Sequence, residues 1–138
     1  MSDHVCFDPR SETLEHGALR ALQLERLQQI VAAAVEGSAV YREMCGNAGV
    51  TPADIRTLDD VRRLPFLEKA TLRDAYPDGL RLCGLDAIIE VHSTSGTTGK
   101  PTPIWVTRRD MDAWKLRNAR SLWTVSYTHL TLPTNREV

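Results

Sequence analysis

The stretch that most constrains this chain is a loop rich in hydroxyls and glycines that directly follows a strand-like run. The run is Ala87-Ile88-Ile89-Glu90-Val91, and the loop reads His92-Ser93-Thr94-Ser95-Gly96-Thr97-Thr98-Gly99-Lys100-Pro101-Thr102. Its glycines allow torsions that side chains would forbid, its hydroxyls can donate to anionic oxygens, and successive amides can converge on an anion. Lys100 adds a mobile positive charge. The pattern predicts a phosphate-binding loop after a strand.

Two other interpretations of this loop are less consistent with the residues. A Walker-type loop needs a glycine five residues before the Gly of Gly-Lys and a Ser or Thr after the Lys. Thr94 and Pro101 occupy those places. A flexible Gly/Ser/Thr linker fits the composition, but it requires neither the preceding apolar strand nor the Lys-Pro stop.

Composition narrows the class of protein. The chain has 138 residues, 42% of them hydrophobic, and a formal net charge of −1, which predicts a globular domain of ordinary size that does not bind nucleic acid. No apolar run approaches a membrane span, and the polar start is unlike a signal peptide, so we expect a cytoplasmic protein without membrane contact. The cysteines Cys6, Cys45 and Cys83 are widely spaced and are expected to be reduced thiols.

Helical periodicity dominates the first third of the chain. Apolar residues recur at three- and four-residue steps between Ala18 and Glu36, which predicts a helix that stops at Gly37. Its stripe is Leu24, Leu27, Val31 and Val35. A second helix is predicted from Val40 to Ala48, capped by Ser38 and ended by Gly49. Its inner face is predicted to consist of Val40, Tyr41, Met44 and Cys45.

Capping chemistry then predicts two short turns. Thr51-Pro52-Ala53-Asp54 and Thr57-Leu58-Asp59-Asp60 each place a carboxylate three residues after a hydroxyl, which suits free amides and the helix dipole. Asp59 and Asp60 are therefore assigned to capping rather than to acid–base chemistry. A further turn is predicted from Ala70 to Ala75, and Phe66 and Tyr76 are expected to be buried anchors.

After the loop, Ile104-Trp105-Val106 predicts a second strand that pairs with the first. Thr107 and Asp110 then begin a helix that is expected to run to about Trp123. Part of its buried face is assigned to Met111, Trp114 and Leu122. His92, at the end of the first strand, is expected either to complete a hydrogen bond or to touch substrate.

The loop order resembles the phosphate loop of the adenylate-forming enzymes, the acyl-CoA synthetase superfamily. The phenylacetate-CoA ligase branch is indicated by a further series of motifs in the same order. The series is Leu19 to Leu27, Tyr41-Arg42, Ala48-Gly49-Val50, Asp59-Asp60-Val61, Leu64-Pro65-Phe66 with Lys69, Leu72-Arg73 and Tyr76-Pro77. The resemblance covers about Leu14 to Ala119. It implies an α/β fold in which a helical amino-terminal segment, 1–86, leads into the first strands of an AMP-binding domain, 87–124, with the phosphate loop at 93–101.

The resemblance also implies the chemistry. A carboxylate attacks ATP to give an acyl-adenylate and pyrophosphate, and the thiol of CoA then displaces AMP. Contacts to the pyrophosphate side are assigned by this resemblance to Ser95, Gly96, Thr97, Thr98, Gly99 and Lys100, with no catalytic residue and no metal ligand assigned. The implied ligands are ATP with Mg²⁺, CoA and an aryl carboxylic acid, and the full-length enzyme could form a homodimer. The alternative to a pyrophosphate contact for Lys100 is that it is a solvated loop residue.

Two departures from the family leave the acid open. Asp78 stands where an aromatic residue is common, and Leu67-Glu68 precedes Lys69 where a hydroxyl residue is usual. Phenylacetate is the leading expectation, and the branch also contains ligases for other aryl acids and an adenylyltransferase acting on a flavin-like cofactor.

The last residues, 125–138, depart from the family pattern. They resemble the translation of a transposon-end adaptor used in sequencing libraries, and we expect a non-native tail after about Thr124. An edge strand from Val125 to Leu132 is the alternative. On the first interpretation the chain is an amino-terminal fragment of a ligase, expected to be inactive alone and poorly soluble.

Two other functions remain open on the sequence. One is a stand-alone nucleotide- or phosphate-binding module, whose melting temperature would rise with Mg-ATP. The other is a helical interaction domain in which the loop is a linker and Lys100 has no role beyond local charge.

Overall fold

The structure, a computed structural model, describes residues 6–93 and 102–131, with side chains described as far as residue 125. Its main elements are α1 (Pro9–Glu12), α2 (His16–Gly37), α3 (Ala39–Asn47), α4 (Lys69–Asp74), β1 (Ile88–Ser93), β2 (Pro103–Thr107) and α5 (Arg108–Thr131). Single 3₁₀ turns lie at Pro52–Asp54, Leu58–Arg63 and Leu85–Ala87. This combination of helices with a small antiparallel sheet confirms the predicted α/β class.

Two compact units make up the chain. One consists of Glu15–Thr107, and the other combines the described residues of Met1–Leu14 and Arg108–Val138. The larger unit contains α2, α3, α4 and both strands. The predicted division at residues 86 and 87 stays a prediction.

The two long predicted helices of the first half are confirmed as α2 and α3. The Oγ atom of Ser38 accepts a hydrogen bond from the Tyr41 amide at 3.2 Å, which caps α3 as predicted. Gly49 has φ of 64°, a left-handed conformation that glycine adopts without a Cβ penalty. The chain therefore turns sharply after α3 and delivers Val50 to the core.

The core lies between α2 and the segment that follows α3. Val31, Val50 and Ile55 are buried together, and three half-buried leucines pack against them. These leucines are Leu24, Leu27 and Leu64. The Nε2 atom of Gln28 donates to the Ile55 carbonyl at 2.8 Å. Helix α2 therefore supplies a hydrogen bond to this backbone carbonyl as well as apolar side chains to the core.

Both predicted capping turns are present as 3₁₀ turns. The Asp54 carboxylate accepts from the Thr51 amide at 2.8 Å and from its hydroxyl at 2.7 Å. The Asp60 carboxylate accepts from the Thr57 amide at 2.7 Å and from its hydroxyl at 2.9 Å. These hydrogen bonds to the threonine side chains, followed by those to the backbone, lower the pKa of both carboxyls below the ordinary value. Asp60 is thus a capping residue.

The prediction of buried anchors at Phe66 and Tyr76 is wrong. The Phe66 side chain is 89% exposed and Tyr76 is 45% exposed. The apolar cluster takes up Leu64 instead, in the extended segment before α4. No described side chain encloses the Phe66 ring.

Helix α5 differs from its prediction in length and in burial. It runs to Thr131 rather than to about Trp123, because no proline or glycine occurs before Pro133 to end it. The edge strand considered for residues 125–132 is therefore wrong over 125–131. Trp114 and Leu122 are exposed, and Met111 is half-buried, so the predicted buried face is wrong for the first two.

The contacts of α5 within its own unit are made with the segment around α1. The Arg120 Nε donates to Glu12 at 2.9 Å, and the Phe7 and Trp123 ring centroids lie 6.2 Å apart. These contacts cover the turn of α5 that carries Arg120 and Trp123, whereas Trp114 lies further toward its amino end. Among the described helices, none has both the length and the apolar character needed to cross a membrane.

We predict that Ile55→Ala lowers the free energy of unfolding by about 2–5 kcal/mol, because it leaves a cavity in the small core. Ile30→Ala is the matched control, since the Ile30 side chain is 56% exposed, and it should change stability by less than about 1 kcal/mol. Urea denaturation of both variants measures the difference. Equal losses would show that Ile55 is not a core residue.

We predict that acidification destabilises the chain partly through Asp54 and Asp60. Their pKa values are lower in the folded state than in the unfolded state, so their contribution is present above the ordinary carboxyl pKa and is lost as pH falls through the folded value. Asp54→Asn with Asp60→Asn should flatten the decline of melting temperature below about pH 4.

Asp59→Asn is the control for this experiment, because the exposed Asp59 side chain makes no hydrogen bond within the described residues. In this variant the melting temperature should fall with decreasing pH as it does in the parent chain. If the melting temperature of the double variant falls with decreasing pH as steeply as that of the parent chain, the capping role is contradicted.

Candidate phosphate-loop site

The two strands that flank the glycine-rich loop form an antiparallel pair. Val91 pairs with Trp105, His92 with Ile104, and Ser93 with Pro103. This confirms the prediction that the strand after the loop returns alongside the strand before it. The register shifts between Ile88 and Glu90, which marks a bulge at the far end of the pair from the loop.

The strand pair brings together the two ends of the predicted phosphate loop. Ser93 and Pro103 are direct partners, so their Cα atoms are about 5 Å apart. His92 and Ser93, assigned to the loop on the sequence, belong to β1. The assigned phosphate contacts, Ser95, Gly96, Thr97, Thr98, Gly99 and Lys100, lie outside the described residues.

Side-chain chemistry explains why these residues form strands. β1 and β2 are rich in β-branched and aromatic residues, which favour extended backbone. Val106 is 1% exposed and anchors the pair, whereas Val91 and Ile104 are 54% and 46% exposed. A pair of strands is marginal without further packing, so its stability depends on contacts made by β2.

His92 completes a local hydrogen bond at the end of β1. Its Nε2 lies 3.1 Å from the Oε2 of Glu90, two residues earlier and therefore on the same face of the strand. This is the hydrogen-bonding role expected for a histidine at a strand end.

The turn that follows α4 holds β2 in place. Trp105 donates from Nε1 to the Pro77 carbonyl at 3.3 Å. The Ser38 hydroxyl donates to the Gly79 carbonyl at 2.8 Å, and Ser38 is 1% exposed. A Cβ on Gly79 would lie 2.8 Å from the Ala75 carbonyl oxygen, so the turn requires glycine there.

Arg81 completes this turn and was not singled out by the sequence. One terminal nitrogen lies 3.3 Å from the Asp78 carboxylate and the other donates to the Cys83 carbonyl. Its guanidinium carbon lies 6.0 Å from the centroid of the Trp105 ring. The spacing of Asp78 and Arg81 within a turn was the available signal, and Asp78 is the residue that departs from the family pattern.

The described residues contain a buried cysteine and no cluster of potential metal ligands. Burial raises the pKa of the Cys45 thiol, so this cysteine is protonated at neutral pH and unreactive. None of Cys6, Cys45 and Cys83 forms a disulfide bond in the part of the chain that the structure describes. Within residues 6–93 and 102–125, no three potential metal-ligating side chains form a group.

Comparison with known proteins gives a consistent set of relatives, although no family model matches the chain. The phenylacetate-coenzyme A ligase of Thermus thermophilus is 44% identical over 118 residues, which are 86% of this chain and 26% of that protein. The phenylacetate-coenzyme A ligase of Escherichia coli is 40% identical over 111 residues, 80% of this chain and 25% of that protein.

Solved structures agree with these relatives. A 2-hydroxyisobutyryl-CoA ligase in complex with 2-HIB-AMP and CoA matches 83% of this chain and 25% of its own, with a TM-score of 0.75 and 35% identity. The same ligase in its postadenylation state with 2-HIB-AMP matches 89% of this chain and 26% of its own, with a TM-score of 0.77 and 31% identity.

Sequence and fold thus lead to the same assignment. The helices and the strand pair match the amino-terminal part of an adenylate-forming CoA ligase, and the sequence relatives share one activity in their names. The chain spans about a quarter of the length of the curated relatives that it matches. Over most of its length the chain is similar to the amino-terminal part of phenylacetate-CoA ligases.

Proposed function

We propose that this chain supplies the polyphosphate-binding loop of an ATP-dependent, AMP-forming ligase that converts an aryl carboxylic acid, with phenylacetate the leading candidate, into its CoA thioester. The observation that carries the proposal is the glycine- and hydroxyl-rich sequence 94–101, whose flanking residues Ser93 and Pro103 are paired in adjacent strands. Similarity to phenylacetate-CoA ligases at 37–44% identity supports the reaction class.

The proposed reaction has two steps. A carboxylate oxygen of the acid bonds to the α-phosphorus of ATP, the bond to the bridging oxygen breaks, and pyrophosphate leaves. The sulfur of CoA then bonds to the acyl carbon as it loses its proton, and AMP leaves with the electrons of the broken C–O bond. The first step joins two anions, so it requires the polyphosphate charge to be offset before attack.

In this proposal the loop offsets that charge. Amides of the segment from Gly96 to Gly99, hydroxyls of Ser95 and the threonines, and the Lys100 ammonium bind the oxygens that become pyrophosphate. Such groups stabilise charge as it moves to the leaving group, without taking a proton or forming a bond. Mg²⁺ enters the proposal as the ion carried by ATP.

The location and assembly of the whole enzyme are parts of the same proposal. ATP and CoA are cytoplasmic metabolites, so the reaction favours a cytoplasmic protein that acts on small molecules. A homodimer of the whole ligase stays a prediction. The identity of the acid is tested on the whole enzyme, with phenylacetate, other aryl acids and 2-hydroxyisobutyrate compared.

We predict that residues 14–119 of this chain, exchanged for the matching residues of the Thermus thermophilus ligase, give an enzyme that forms phenylacetyl-CoA. In that chimera Lys100→Ala should lower kcat/KM for ATP by about 10²-fold, because a charge that stabilises the leaving group is removed. Release of AMP and of thioester measures the rate.

Lys115→Ala in the same chimera is the matched control, since it removes the same charge from an exposed side chain that lies 3.9 Å from Asp112. Its kcat/KM should stay within about twofold of the parent chimera, as expected for an exposed pair. If Lys100→Ala is as active as the parent, the loop does not bind polyphosphate and the proposal is wrong.

A further inference from the structure

The side chain of Arg81 connects the turn after α4 to the strand that follows the phosphate loop. Three of its neighbours surround the guanidinium group: the Asp78 carboxylate, the Cys83 carbonyl and the Trp105 ring. The side chain is only 18% exposed, whereas that of its partner Asp78 is 52% exposed. Arg81 therefore lies under the turn rather than on its surface.

An arginine is suited to this place in a way that a lysine is not. Its planar group can donate in two directions while one face lies against an aromatic ring. Its terminal nitrogens reach both the Asp78 carboxylate and the Cys83 carbonyl, and its Nε is buried with no hydrogen-bond partner among the described residues.

The turn that contains Arg81 is itself fixed to the helical part of the unit. The buried Ser38 hydroxyl bonds to the Gly79 carbonyl, and a Cβ on Gly37 would lie 3.3 Å from the Leu82 Cα. The turn is thus closely packed against the junction of α2 and α3. A side chain that joins this turn to β2 therefore links the strand to the helices.

Trp105 lies close to the loop along β2. It pairs with Val91, two residues before the Ser93–Pro103 pair at which the strands meet the loop. Two residues of a strand span about 7 Å. A rotation of β2 about Trp105 would therefore move the backbone at Pro103, and with it the place from which the loop begins to approach an anion.

We infer that Arg81 is a positioning residue for the phosphate loop, acting through Trp105, with Asp78 and the Cys83 carbonyl holding its guanidinium group in place. The inference rests on the function proposed above, because it treats the loop as a polyphosphate site. Preorganised amides bind an anion well only when their backbone is already oriented, and a displacement of about 1 Å can cost about 10²-fold in rate.

The first experiment measures binding of inorganic pyrophosphate to the 138-residue chain by calorimetry. Arg81→Met keeps an unbranched apolar stem but removes the charge and the donors of the side chain, and it should raise the dissociation constant at least about tenfold. Arg81→Lys retains the charge near Asp78 and should recover part of that loss. Val50→Ala, a core change far from the turn in sequence, should lower the melting temperature without changing the dissociation constant.

A double-mutant cycle distinguishes positioning from general destabilisation. Trp105→Val keeps a strand-forming residue but removes the ring, so Arg81→Met should have little further effect on pyrophosphate affinity in that background. Effects of the two changes that multiply independently would overturn the inference. So would an affinity for pyrophosphate that Arg81→Met leaves unchanged.

Hydrogen exchange of the Val91 and Trp105 amides separates this inference from the proposed function. Arg81→Met should speed exchange at both amides, and Arg81→Lys should restore part of the protection. If the parent chain binds no pyrophosphate, the proposed function fails, while faster exchange in Arg81→Met still supports the anchoring of β2 by Arg81. Unchanged exchange overturns it, whatever the binding result.

Discussion

The hydroxyl of Ser38 is the contact on which the arrangement of the larger unit depends. It accepts from the Tyr41 amide to start α3 and donates to the Gly79 carbonyl to hold the turn after α4. Ser38 is almost fully buried, and a buried hydroxyl is costly unless both functions are used. One side chain thus fixes where α2 ends, where α3 begins and where the chain returns before β1.

From that turn the contacts continue to the strands. Pro77 accepts from the Trp105 indole, and Arg81 lies against the same ring. The pair of strands would be marginal alone, since most of β1 is exposed. Its position is therefore set by β2, through Trp105 and the buried Val106, rather than by its own hydrogen bonds. The packing around Trp105 therefore helps to set the position of Ser93 and Pro103, between which the loop lies.

Local chemistry made part of this fold predictable. The cap at Ser38, the stop at Gly49 and the turn at Thr51–Asp54 depend on groups within about four residues of each other, so the sequence shows them directly. Ile55 could not be identified as core in this way, because its burial depends on α2, far earlier in the chain.

The same limit explains the errors at Phe66 and in α5. Leu64 and Phe66 flank Pro65 and are both apolar, and only the size of the cluster under α2 decides that Leu64 packs and Phe66 does not. At the candidate site, the pairing of the strands was readable from residue order, and the chemistry of the loop stays a prediction. The contact between Arg81 and Trp105 could not be predicted from the sequence, because it joins a turn before the loop to a strand after it.

Under the proposed function, a loop that binds polyphosphate has to meet opposing demands, and the strand pair helps to meet them. Its glycines give the amides freedom to converge on an anion, but that freedom raises the entropy lost when the loop is ordered. Pairing Ser93 with Pro103 brings the ends together before any ligand arrives, so closure of the loop is not part of the cost of binding. On that proposal, side chains that hold β2 affect anion affinity without touching the anion.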